Sequence, residues 1–140
     1  MKLSLLKTQK GLSFLNVIIL IVLVGYVTSF AVTNIFKFVE FSRSMEALTT
    51  CKSISDALNY CKMSRLTYQG CGKGNSQVDE IIQDPNRHFD YDIDILNRDE
   101  FTIVATRNFL HGGDGGSTIV YKQTKQSIIK TGTGIYIFIQ

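Results

Sequence analysis

Lys10-Gly11-Leu12-Ser13-Phe14-Leu15-Asn16 runs without a break into an apolar segment that reaches past Gly25. From Phe14 to Phe36, a run of 23 residues, no side chain is charged. That exceeds the roughly 20 residues a helix needs to cross a bilayer core, with room for tilt. Val, Ile, Thr and aromatic residues fill much of the run and would favour a strand in water. In lipid the backbone must satisfy its own hydrogen bonds within the segment, so a helix is expected instead. Lys2, Lys7 and Lys10 precede the run and favour a cytoplasmic N-terminus, which places the chain after Lys37 outside the cytoplasm. The far flank, with Lys37, Glu40, Arg43 and Glu46, is mixed in charge and adds little to that assignment. A secretory signal has its apolar core first and a small-residue cleavage site after it. Here the glycine comes before the core, so a cut at that point leaves the apolar segment on the mature chain.

In this arrangement the N-terminal stretch resembles the type IV pilin and type II secretion pseudopilin family. Gly11 sits where the family's cleavage glycine sits, and Leu12 takes the first mature position, usually phenylalanine. Ser13, Phe14 and Leu15 fit the small-polar then apolar pattern that follows, and Gly25 stands where many members have an inner glycine. Two positions depart from the pattern. The family's glutamate is replaced by Asn16, and a proline common in the helix is replaced by Thr33.

The resemblance implies a leader over 1–11 removed by a prepilin peptidase, with N-methylation at Leu12. It implies a transmembrane and filament-core helix over 12–36 and a pilin-like globular domain over 37–140. The chain would be a structural subunit of a pilus or secretion pseudopilus. Its partners would be other pilin or pseudopilin subunits, the peptidase, an inner-membrane assembly platform and membrane lipid. It would sit in the inner membrane as a single pass with its domain periplasmic, or extracellular once assembled in a pilus. Small residues such as Gly25, Ser29 and Ala31 would permit close helix approach. The family's glutamate is thought to neutralise the α-amino group of a neighbouring subunit. Asn16 accepts a hydrogen bond without bringing charge, which suits a minor subunit, for instance at a filament tip. A major subunit of a divergent system is the alternative. A different class, a membrane-anchored binding module or adhesin that never polymerises, would keep residues 1–11.

The formal charge is +3, from 15 basic and 12 acidic residues. Three of the basic residues lie in 1–11, so the remainder is neutral and has no clustered basic face for nucleic acid. Beyond Lys37, Phe41, Met45, Leu48, Ile54, Leu58 and Cys61 recur at spacings of three, four or their sums. No proline precedes Pro85, and no glycine lies between Gly25 and Gly70. One helix from about Ser13 to Leu66 is therefore expected, its outer half packing a small domain along one stripe. Gln69 to Asn75 stops it, and Ser76 to Gln83 suits a short helical turn with Val78, Ile81 and Ile82 inward. The period then changes to two, with Phe89, Tyr91, Ile93 and Ile95 alternating with Asp90, Asp92 and Asp94. Return strands are expected over 100–107, 117–122 and 128–139, the last bent at Gly132 and Gly134. The expected fold class is α+β: a long N-terminal helix packed on a three- to four-stranded antiparallel sheet.

Cys51, Cys61 and Cys71 fall on the side where disulfides persist. Ten helical residues separate Cys51 and Cys61 by about 15 Å, beyond the roughly 7 Å limit between bridged Cα atoms. Any intramolecular bridge must therefore use Cys71. Cys61–Cys71 is the nearer option and would leave Cys51 as a thiol on or near the apolar stripe; three unpaired thiols is the alternative. His88 and His111 have no zinc-ligand spacing with these cysteines. The loop His111-Gly112-Gly113-Asp114-Gly115-Gly116 lacks the Lys-Ser/Thr ending of a phosphate-binding loop and reads as an inter-strand connection. Asp114 could offer calcium a ligand, but one carboxylate falls short of the six to eight oxygens that ion takes. No nucleophile–base grouping stands out, so neither an enzyme nor a cofactor is expected.

Overall fold

The computed structural model describes residues 14–83 and 87–139. It is an α+β arrangement in which a long helix packs against a four-stranded antiparallel sheet. The chain divides into two units, Met1–Phe38 and Val39–Gln140. Helix α1, Phe14–Arg65, belongs to both. It is followed by α2 (Ser76–Ile82) and by β1 (Phe89–Ile95), β2 (Phe101–Arg107), β3 (Thr118–Gln123) and β4 (Ile128–Gly132). The strands form a meander in the order β1-β2-β3-β4, every neighbouring pair antiparallel.

In the first unit α1 is apolar, and its described side chains are exposed. Thr28, within it, donates its hydroxyl to the Val24 carbonyl at 2.6 Å, which satisfies a polar group without water.

In the second unit the outer part of α1 buries Ser44, Ala47, Cys51, Ile54, Ser55, Leu58 and Cys61 against the sheet. This seam is shifted from the expected stripe. Phe41 and Met45 are about half exposed, and the small residues Ser44 and Ala47 take the inward positions beside them. The larger neighbours Phe41 and Met45 stay at the rim of this seam.

Alternation in the strands decides the other half of the core. Phe89, Tyr91 and Ile93 of β1 face Arg107, Ala105 and Ile103 of β2 in register, all buried, while Asp90, Asp92 and Asp94 point outward. The helix ends where Leu66 takes a left-handed conformation, φ 58°. Its carbonyl accepts a hydrogen bond from Arg98 Nε at 3.0 Å. Asn75 caps α2 by accepting from the Gln77 N–H at 3.1 Å.

The last strand is shorter than expected. β4 stops at Gly132, and the chain turns through Gly134–Tyr136 before Ile139 returns to accept the Gly132 N–H at 3.0 Å. Two glycines impose the turn. Gly134 has φ +62°, and a Cβ on Gly132 would stand 1.9 Å from the Tyr136 carbonyl oxygen.

Candidate functional site

Of the residues singled out from the sequence, Gly11 and Leu12 lie outside the described residues. Asn16 and Gly25 are both on α1, Asn16 exposed in its first turn. A Cβ added at Gly25 would meet nothing within 4 Å, so the glycine leaves a shallow place on the helix surface where another backbone can approach.

The cysteines behave as the nearer pairing requires. Cys61 and Cys71 are bonded, with Cα atoms 5.8 Å apart, tying the end of α1 to the loop that follows. Cys51 is a buried free thiol, and burial pushes it up to about 12 against a weaker opposing pull from the Lys130 ammonium. A thiol this reluctant to ionise is inert. At mildly alkaline pH we expect a maleimide to label Cys51 in urea-unfolded chain and to leave the folded chain unmodified; equal labelling rates would contradict this burial.

A set of polar side chains absent from the sequence reading closes one end of the second unit. Arg107 ends β2 with its side chain fully buried. Its Nη1 donates to the carbonyls of His88 at 2.8 Å, Asn108 at 3.2 Å and Leu110 at 3.1 Å. Its Nε lies 3.5 Å from Glu40 Oε2, on the first turn of α1 in this unit. Tyr136 donates its hydroxyl to the same Glu40 oxygen at 2.8 Å, and Arg43 pairs with the other. Burial comes first among the causes that raise the Tyr136 phenol, followed by its bond to the Glu40 carboxylate. Glu40 therefore joins the helix, the loop after β2 and the turn after β4. Gly113 is required here, because a Cβ on it would stand 2.7 Å from Arg107 Cζ and 1.9 Å from the Asn108 oxygen. The signal was present in the alternation, since Phe101, Ile103, Ala105 and Arg107 share one strand face.

At the opposite end a second polar group fills the space between helix and sheet. Ser55 donates to Gln123 Oε1 at 2.9 Å, Tyr68 donates to Asn59 Oδ1 at 2.5 Å, and Lys62 pairs with Asp99 at 2.7 Å.

Asp114 is used by its own loop. Its carboxylate accepts the N–H groups of Gly116 at 3.2 Å and Ser117 at 3.1 Å, and the Ser117 hydroxyl. Burial works against its charge, but these hydrogen bonds outweigh it and hold the carboxyl below its ordinary value. Asp99 and Asp92 are also lowered, chiefly by hydrogen bonds from Lys62 and Lys73. A depressed folded pKa contributes stability above the unfolded value, and that contribution is lost as pH falls through the folded one. The urea midpoint is therefore expected to fall as the pH drops below the ordinary 3.8 of these groups. A midpoint flat across that window would contradict it.

The two histidines, distant in sequence, meet with ring centroids 5.0 Å apart, and His88 Nδ1 lies 3.2 Å from Glu46 Oε2. Among the described residues no three His, Cys, Asp or Glu side chains are grouped so as to hold a metal ion.

Together these elements define an α+β domain carried on an N-terminal helix long and apolar enough to cross a membrane, with a mean hydropathy of 2.4 in its most apolar window. No family model, curated protein or solved structure matches the chain.

Proposed function

We propose that the chain is a structural subunit, of the minor kind, of a type IV pilus or type II secretion pseudopilus. The observation that carries this reading is helix α1, apolar with its described side chains exposed in its first part and built into an α+β domain in its second. The Lys10-Gly11-Leu12 junction just before it supports the same reading. The mechanism is physical. An exposed apolar helix exchanges lipid contacts for contacts with other such helices, and the shallow place at Gly25 favours close approach. The domain on the other side of the membrane is then displayed by the bundle.

N-terminal sequencing of membrane-extracted protein tests this. A chain beginning at Leu12 is expected, and recovery of intact 1–11 would favour a non-polymerising anchored module. For Asn16, substitution with glutamate restores the charge that pairs with a neighbouring α-amino group. We expect Asn16→Glu to be tolerated and to enter the filament along its length. Unchanged occupancy and location would overturn the assignment to a tip.

A further inference from the structure

His88 and His111 belong to segments far apart in the chain, and the fold brings their imidazoles together with ring centroids 5.0 Å apart. His88 stands at the entrance to β1, and His111 lies in the short turn Leu110–Gly112 after β2. Both backbones are fastened to one buried group. Arg107 Nη1 donates to the His88 carbonyl at 2.8 Å and to that of Leu110, next to His111, at 3.1 Å. The Asn108 N–H also donates to the His88 carbonyl, at 3.1 Å. His111 takes a left-handed conformation, with φ 54° and ψ 36°. Such a conformation is uncommon for a residue with a side chain, persists only where the surroundings hold it, and gathers at binding sites. The two rings, His111 exposed and His88 partly so, are thus presented on backbone that is held in place.

Glu46, on α1, sets the state of one ring. Its Oε2 lies 3.2 Å from His88 Nδ1. An ionised carboxylate only accepts hydrogen bonds, so Nδ1 carries the proton, and in the neutral ring Nε2 keeps its lone pair. A carboxylate behind one nitrogen is the usual arrangement around a metal-bound imidazole, and it makes the other nitrogen a better donor to the ion. The spacing of the rings agrees. A ligating nitrogen stands about 2.0–2.1 Å from zinc, which puts the ion roughly 3 Å from the ring centre, and two rings at a tetrahedral angle then have centres about 5 Å apart. Their planes are inclined at 54°, so the pair is not stacked face to face. The buried charge of Arg107 opposes a cation here, but Glu40 stands 3.5 Å from its Nε, and Glu46 brings a second negative charge beside the rings.

We propose that His88 and His111 together bind a divalent transition-metal ion of the zinc, nickel and copper group, with Glu46 orienting His88 from behind. Imidazole nitrogen suits these ions, whereas calcium and magnesium take oxygen. With two protein ligands rather than three, the remaining positions of a four-coordinate ion are left to water. An ion held there cross-links the start of β1 to the turn after β2. It binds the folded domain in preference to the unfolded chain, where the two histidines are apart, and so stabilises the fold. The site is independent of the filament reading and stands whether or not the chain polymerises.

The test uses the full chain in detergent without a histidine tag, which would bind the same ions. Cu2+ is the probe for ligand count, because its paramagnetic resonance spectrum resolves coordinated nitrogens, and Zn2+ is the probe for stability. Neither the buried Cys51 nor the bridged Cys61 and Cys71 offers a competing thiolate. The expected result is Cu2+ held by two imidazole nitrogens and a urea midpoint raised by Zn2+. His88→Ala and His111→Asn should each weaken Cu2+ binding by about tenfold or more and abolish the rise with Zn2+. Asparagine is chosen at 111 because it tolerates the left-handed backbone. Both rings lie outside the hydrophobic core, and it is the His88 carbonyl that holds Arg107, so without metal the variants should keep a midpoint near that of the parent chain. Glu46→Gln should lower the affinity about 10- to 100-fold, the usual effect of losing a carboxylate behind a ligand. Unchanged affinity there would overturn the part assigned to Glu46. Coordination by one nitrogen, or binding that survives either histidine substitution, would overturn the site and leave the two rings as aromatic neighbours only. The nitrogen count on the parent chain decides between these outcomes even where a variant folds poorly.

Discussion

Glu40→Ala is expected to destabilise the domain by on the order of 3 kcal/mol, the scale on which breaking a buried ion pair from one side is felt. Glu40 is the acceptor on which three elements converge. Without it the fully buried Arg107 guanidinium keeps its three loop carbonyls but loses its counter-charge. Tyr136 loses the acceptor for its hydroxyl at the same time. An unpaired buried charge costs far more than the net worth of the pair, so the loss outweighs the modest value of the Arg43 contact at the surface. Glu40→Gln keeps an acceptor oxygen for Tyr136 and should cost less. Urea unfolding of the full chain in detergent, read by circular dichroism, measures both. In a double-mutant cycle with Arg107→Met, the coupling should fall between about 0.5 and 3 kcal/mol, as for residues in one network. Strictly additive losses would mean that the two side chains do not act together.

Breaking the Cys61–Cys71 bond is expected to cost about 2 to 3 kcal/mol, the loss of a link that closes a short loop. The bond spans a sequence separation of 10 and joins two buried residues, so its removal frees the loop in the unfolded chain and loosens the end of α1 in the folded one. The double variant Cys61→Ala/Cys71→Ala isolates the bond from any exchange with Cys51. Its urea midpoint should lie below that of the oxidised protein and near that of the reduced one. Identical midpoints for reduced and oxidised protein would show that the loop is held by other contacts, such as the Tyr68 N–H to Arg98 carbonyl bond at 3.2 Å.

The sequence was most legible where one physical rule acted alone. The alternation of apolar and acidic residues from Phe89 to Ile95 placed β1 and its inward face, and the uninterrupted run from Phe14 onward placed α1. The excluded pair Cys51–Cys61 narrowed the bridge to Cys71, and proximity selected Cys61. Where two rules competed, spacing alone did not decide the outcome. Phe41 and Met45 have the spacing of a buried stripe, but Ser44 and Ala47 take the inward positions in their place. Strand propensity carried β4 on to Ile139, whereas glycine geometry ended it at Gly132. Arg107 lies on the inward face by alternation although charge is expected outside; its partner Glu40 belongs to another element, and sequence spacing does not report such a pairing. The meeting of His88 and His111 was hidden for the same reason, since it depends on how β1 and the loop after β2 come together.

The meander has a bearing on the order of folding. Each of its hairpins joins strands adjacent in sequence, so they can zip up locally and early. The contact between Tyr136 and Glu40 spans 96 residues and must wait for the ends of the domain to be brought together. Until then Arg107 has no settled counter-charge. The final turn of the chain, which carries Tyr136 and Ile139 into the core, is therefore expected to dock late.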